Sequence, residues 1–264
     1  MNIFLRELRA NFKSLLIWSG IVIVFNYVGF LKFSAYYNNP EMLAILDSLP
    51  PAMLSAFSMN SFNLTTVTGF FGIMVTYFGL ILCIAAAMWG SGIISKEERD
   101  KTVEFSLTLP VTRGKVVTAK LAAMVVDCIA LLLITWGITL VSAQSYKPDS
   151  EFYRYVAIGT LSFLILQMIF LALGIFLGCA MKNHKQSGSV AVWILLGSYF
   201  LSVLVGLDKS LDFLKYLTPF KYFDPVQLLH DSSLETMFVL LSVAIIAACL
   251  AGAYATYSRR DLYI

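Results

Sequence analysis

Six stretches of the chain, at about 14–31, 70–94, 116–142, 152–181, 188–207 and 234–257, are almost entirely apolar. A helix needs ~20 apolar residues to cross a hydrocarbon core of ~30 Å, so each stretch is expected to be a membrane span. The predicted fold class is therefore all-α, a polytopic membrane protein with six transmembrane helices in a single domain covering residues 1–264. The segments between the runs carry their own signals. Residues 1–13 set Arg6, Arg9 and Lys13 among Ile3, Phe4, Leu5, Leu8 and Phe12, a spacing that suits an amphipathic helix on the membrane surface, or else a basic flank of the first span. A cleaved signal peptide is not expected, because Phe33-Ser34-Ala35 makes a poor cleavage site. Between 32 and 69, apolar residues such as Met42, Leu46, Met53 and Phe57 flank Pro50-Pro51, which predicts two short amphipathic helices broken at the prolines.

The later connections are shorter. A polar turn is expected at 144–151 and a tight basic turn at Lys182-Asn183-His184-Lys185-Gln186. In the 208–233 loop, Thr218-Pro219-Phe220 and Asp224-Pro225 mark turns, and Leu211, Phe213, Leu214, Tyr216 and Leu217 suggest a piece lying at the membrane interface.

One run is too charged to lie in lipid: Ser95 to Lys120, SKEERDKTVEFSLTLPVTRGKVVTAK. Its first half predicts a short surface helix, with Ser95 as the cap and Glu98 reaching back to complete a capping box. Pro110 ends that helix and pushes Leu109 out of the helical region, after which Thr112 is placed to cap the third span. The charge of this helix is mixed. Glu97, Glu98, Asp100 and Glu104 offset Lys96, Arg99 and Lys101, whereas an anchor for anionic lipid would be basic throughout.

Composition agrees with the pattern: 59% of residues are hydrophobic and 13% charged, against roughly 25% charged in soluble domains. The net charge of +3 becomes informative only when divided by side. With six spans, the segments on the side of the termini hold 13 Lys and Arg and the opposite segments hold six. Positive charge belongs inside, so both termini and the 95–120 run are expected to be cytoplasmic. Cys83, Cys128, Cys179 and Cys249 all fall in apolar segments without paired spacing, so they read as small buried hydrophobes. With His184 and His230 the only histidines, no histidine-rich metal centre is expected.

Candidate chemistry is sparse. Gly114-Lys115 does not end a phosphate loop, because Leu109 stands where the earlier glycine belongs and Val116 where Ser or Thr belongs. Neither an HExxH motif nor a Ser/His/Asp set is present, and no nucleic-acid partner is expected. Asp127 is an acidic residue within a span, where ionisable groups face a cavity or a partner; pairing with a lysine near the inner interface is one expectation and a functional role another. Asn26 and Gln167, also within spans, suit hydrogen bonds between helices. Glycines 69, 72, 79, 90 and 92, with 174 and 178, include small-xxx-small spacings that favour close helix packing. The aromatic residues suit an apolar cavity and a lipid-facing surface equally.

The run Glu97-Glu98-Arg99-Asp100-Lys101-Thr102-Val103-Glu104, followed by Leu107-Thr108-Leu109-Pro110-Val111-Thr112-Arg113 and Lys120, resembles the signature of ABC-2 type permeases, the membrane subunits of one class of ABC exporters. The family pattern has glycine where this chain has Lys101; within a helix lysine is the better former. The resemblance implies a non-enzymatic permease that moves substrate by coupling to a separate cytoplasmic ATPase. It implies two ATPase subunits that bind ATP and Mg, a second permease copy or paralogue, and a coupling helix between spans 2 and 3. On that reading Glu97, Glu98, Arg99, Lys101, Thr102, Val103, Glu104, Phe105 and Leu107 form the coupling segment, and Asp127, Gln167 and Asn26 are candidate intramembrane functional residues. Two alternatives stand beside it: an ion-driven secondary transporter, and a membrane subunit that transmits force or signal without transporting.

Overall fold

The computed structural model describes residues 3–37, 39, 50, 62–99, 112–181, 184–207, 209–231 and 233–259. Eight α-helices lie in this part: α1 (Ile3–Tyr36), α2 (Val67–Arg99), α3 (Arg113–Ala143), α4 (Ser150–Ala180), α5 (His184–Leu207), α6 (Pro219–Tyr222), α7 (Pro225–Asp231) and α8 (Thr236–Arg259). Short 3₁₀ helices occupy Gln144–Tyr146 and Lys209–Leu217, and no strand occurs among the described residues. Six of the helices, α1 to α5 and α8, are long and apolar enough to cross a membrane.

Three local expectations change. First, of the two expectations for residues 1–13 the separate surface helix is the one that changes: residues 3–13 and the first span are one unbroken helix of 34 residues, roughly 51 Å long, which exceeds a ~30 Å core. Second, α2 runs on through Ser95 to Arg99, so Ser95 lies inside a helix already under way. An N-cap needs non-helical backbone at the cap, and the expected Ser95/Glu98 capping box does not form. The remainder of the expected surface helix, 100–111, lies outside the described residues, as do most of the paired amphipathic helices expected within 32–69. Third, His184, Lys185 and Gln186 belong to the first turn of α5 and not to a turn before it.

Other local signals hold. Thr112 caps α3 from extended backbone, its side chain accepting from the Lys115 amide at 3.4 Å. Asp149 caps α4 through the Phe152 amide at 2.9 Å, after a turn in which Lys147 takes a left-handed φ of 49°. Pro219 and Pro225 open short helices, since a first-turn residue needs no amide donor. The 209–217 piece leaves Phe213 and Leu217 exposed. There the bond to Asp212 raises the Lys215 ammonium above its ordinary value, while burial raises the Tyr222 phenol.

Helices α2 and α4 form the centre: most of their spanning residues are buried, against few of those in α5 and α8. They run parallel, because Phe71 meets Phe152 and Tyr155, Gly79 meets Phe163, and Gly90 meets Leu171 and Ile175. The approach is backbone to backbone. A Cβ on Gly90 would stand 2.5 Å from the Leu171 carbonyl oxygen, and one on Gly174 2.5 Å from that of Ala87. In lipid, where apolar burial does not drive helices together, such close packing is the main attraction. The small-residue spacing read in the sequence is this contact.

At the end away from the termini, Phe33 stacks on Phe70 at 4.8 Å and meets Tyr146 edge-on at 4.8 Å. That cluster joins the end of α1, the start of α2 and the turn after α3. Rings at such a level suit a membrane–water boundary.

Candidate functional site

Polar residues of α1 and α3 meet where the two helices pack. Glu7 and Asn11 are four residues apart on α1, and Lys120 and Asp127 seven apart on α3, so each pair lies on one helix face. The two faces meet. Lys120 Nζ lies 3.5 Å from Glu7 Oε1 and donates to the Ile93 carbonyl of α2 at 2.8 Å, with 1% of its side chain exposed. Arg6 also pairs with Glu7, at 2.8 Å. About two turns further along, Asn11 Nδ2 donates to Asp127 Oδ2 at 2.7 Å. Further along still, Asn26 Nδ2 donates to Ser142 Oγ at 2.7 Å and to the Ile138 carbonyl at 3.4 Å. Partner numbers rise together, so α1 runs parallel to α3 and is held to it by polar layers at three depths.

The expected lysine partner of Asp127 is replaced by the Asn11 amide, and the lysine goes to Glu7. Asp127 lies roughly four turns into α3 from Arg113. Gln167, wholly buried on α4, directs Nε2 toward the Cys128 carbonyl of α3 at 3.5 Å, and its Oε1 has no protein partner among the described residues. Asn26 and Gln167 thus face neighbouring helices.

The termini end of the bundle is cross-tied beyond this joint. Trp89 Nε1 of α2 donates to Ser14 Oγ of α1 at 2.8 Å, and Arg113 at the start of α3 donates to the Tyr257 and Ser258 carbonyls of α8 at 3.4 Å. The charged stretch expected to couple therefore begins on the last turns of α2, after Ile93, and returns at the capped start of α3, whose Lys120 bonds back to α2. Glu97, Glu98 and Arg99 lie on the last turn of α2; Lys101, Thr102, Val103, Glu104, Phe105 and Leu107 lie outside the described residues.

At the opposite end, a cavity of about 220 Å³ opens between α2, α4 and α5 under the 220–226 segment. Thr76, Ser162, Tyr199 and Ser202 supply hydroxyls to its wall, aromatic rings supply much of the rest, and Lys221 and Asp224 are paired in its roof. The roof is tied down on two sides. Tyr155 of α4 donates to the Pro225 carbonyl at 3.0 Å, and Thr218 donates to the Ser198 carbonyl of α5 at 2.8 Å.

The protein-family model for ABC-2 family transporter proteins matches residues 1–262. The chain belongs to the ABC-2 transporter family. A search of curated proteins returns no match. An ABC-2 permease with six apolar helices is a multi-pass membrane protein, and the cell membrane is the family's usual location. Membrane subunits of this family are generally non-enzymatic and work with ABC ATPases. Among the described residues of this permease, no group of three or more His, Cys, Asp or Glu is arranged to hold a metal ion.

Glu7, Asn11, Lys221 and Asp224 were not singled out as site residues from the sequence. The i, i+4 spacing of Glu7 and Asn11 next to an apolar run was the available signal for the first pair. The second pair was hidden in a loop whose prolines read as turns.

Proposed function

We propose that this permease is the membrane subunit of an ATP-driven exporter, with both termini and the 95–112 stretch in the cytoplasm. A separate ABC ATPase binds ATP and Mg and passes its conformational change to the spans through residues 97–107. Two permeases, identical or paralogous, combine with two ATPase subunits, since six spans supply half of the twelve expected of such an exporter. The observation that carries this proposal is the family match over residues 1–262, and the excess of Lys and Arg in the segments on the termini side supports the orientation.

In the docked complex Glu97, Glu98, Arg99 and Glu104 are matched by charges on the ATPase, with Val103, Phe105 and Leu107 as the apolar anchor. Removing one partner of a desolvated charge pair costs ~2–5 kcal/mol, whereas a solvated pair is worth ~0–1 kcal/mol. The test is Glu97→Lys, Glu98→Lys and Glu104→Lys, each expressed with the ATPase. Co-purification of the ATPase and permease-dependent stimulation of ATP hydrolysis are expected to fall at least tenfold, about 1.4 kcal/mol, with normal permease levels in the membrane. If all three reversals leave both measurements unchanged, the segment is a linker and the coupling assignment fails.

A further inference from the structure

The cavity beneath the 220–226 segment has a size, a charge arrangement and a place in the bundle that together restrict what fits. Its volume of about 220 Å³ lies under the ~300–1,000 Å³ of sites for drug-sized ligands. That suits a small polar group better than a whole lipid or a peptide. Among the described residues its lining carries one cation and one anion, Lys221 and Asp224, and no other charged residue. The two are paired across one turn, with side chains 26% and 18% exposed, so both ends of the pair remain accessible. A site of that kind is neutral overall and dipolar, which penalises a net anion or a net cation and complements a zwitterion.

The remaining wall repeats the pattern. Phe163, Tyr199 and Phe220 line it with aromatic rings, which can attract an ammonium, while Thr76 Oγ1, buried and without a protein partner among the described residues, offers a hydroxyl. The cavity also reaches the end of a span, since Gly206 borders it and α5 finishes at Leu207. Its mouth thus lies at the membrane–water boundary, where lipid head groups lie, and it runs inward to Gly79, Leu166 and Tyr199 near the middle of α2, α4 and α5.

We propose that this cavity binds the zwitterionic head group of a membrane amphiphile, with Lys221 donating to its phosphate and Asp224 accepting from or facing its ammonium. The site goes beyond the exporter reading and does not depend on it, because it concerns one permease chain and no ATPase.

The test uses full-length permease in detergent with Ser202→Cys on the cavity wall, and the wild type as control for the native cysteines. The rate of modification by a methanethiosulfonate reagent is measured with added dihexanoyl-phosphatidylethanolamine, dihexanoyl-phosphatidylcholine, dihexanoyl-phosphatidylglycerol, dihexanoylglycerol or free phosphoethanolamine. The two zwitterionic lipids are expected to slow labelling, and the anionic lipid and the headless diacylglycerol are not. Adding Lys221→Gln or Asp224→Asn should weaken that protection at least about tenfold, the loss of one charge-assisted hydrogen bond. Equal protection by all the lipids, or none by any, overturns the proposal, as does protection that ignores both substitutions. An equal effect of free phosphoethanolamine overturns the assignment to an amphiphile. A measurement on the unaltered protein guards against a variant that fails to fold. Native mass spectrometry of wild-type permease from nanodiscs of equal phosphatidylethanolamine and phosphatidylglycerol should retain the former preferentially, and equal retention counts against the site.

Discussion

Separating Glu7 from Lys120 should destabilise the permease unequally, depending on which partner is changed. In Lys120→Met the protein loses the 2.8 Å bond to the Ile93 carbonyl and the 3.5 Å contact with Glu7, yet Glu7 keeps Arg6 at 2.8 Å, whose side chain is 34% exposed. The carboxylate therefore retains a counter-charge in contact with solvent, and the cost is that of a hydrogen bond to a charged group, ~1.5–3 kcal/mol. In Glu7→Gln the ammonium of Lys120, 1% exposed, loses its contact with the Glu7 carboxylate. Removing the carboxylate partner of a buried ammonium costs ~3–5 kcal/mol. At ~2–4 °C of melting temperature per kcal/mol, the drops are about 3–12 °C for Lys120→Met and about 6–20 °C for Glu7→Gln. Soluble aggregate-free protein after heating in detergent gives the melting temperatures. The double variant should melt close to Lys120→Met, because Glu7→Gln is harmful only while the buried ammonium remains. High salt should leave these differences in place, since a desolvated pair is little screened. Equal drops in the two single variants, or additivity in the double, would refute the buried-joint account.

Gly90→Val and Gly174→Leu should each reduce the folded yield, because their Cβ atoms would stand 2.5 Å from carbonyl oxygens of the facing helix; overpacking costs ~1–3 kcal/mol or more. Gly137→Ala, where the new Cβ meets nothing within 4 Å, should leave the yield unchanged, and a loss there would show that the close α2–α4 contact is not the cause. Single cysteines at Asn38 and Lys209 should react with an impermeant thiol reagent on intact cells while one at Lys101 should not, and labelling at Lys101 alone would invert the topology.

The spans were legible because a membrane helix announces itself in composition: every residue over ~20 positions must tolerate lipid or an apolar neighbour, and nothing in the fold can override that. The caps at Thr112 and Asp149 are similarly local, each satisfied within three residues. Ser95 shows where local signals stop. Its sequence context is that of a cap, but a cap forms only if the chain enters from non-helical backbone, and α2 was already helical for several turns. The polar joint was harder still. Glu7 and Asn11 mark one face, Lys120 and Asp127 another, yet nothing within either segment says that these faces meet across 113 to 116 positions, or that lysine takes Glu7 and leaves Asp127 to an amide. That choice follows from parallel register. With Asn26 fixed against Ser142 and Asn11 against Asp127, Lys120 falls beside Glu7 and beneath the Ile93 carbonyl. The consequence reaches the segment proposed to couple. One flanking helix, α3, carries the Lys120 ammonium that bonds the other, α2, and meets Glu7 of α1, so on the proposed coupling a displacement at either end of that segment would be carried to α1 as well.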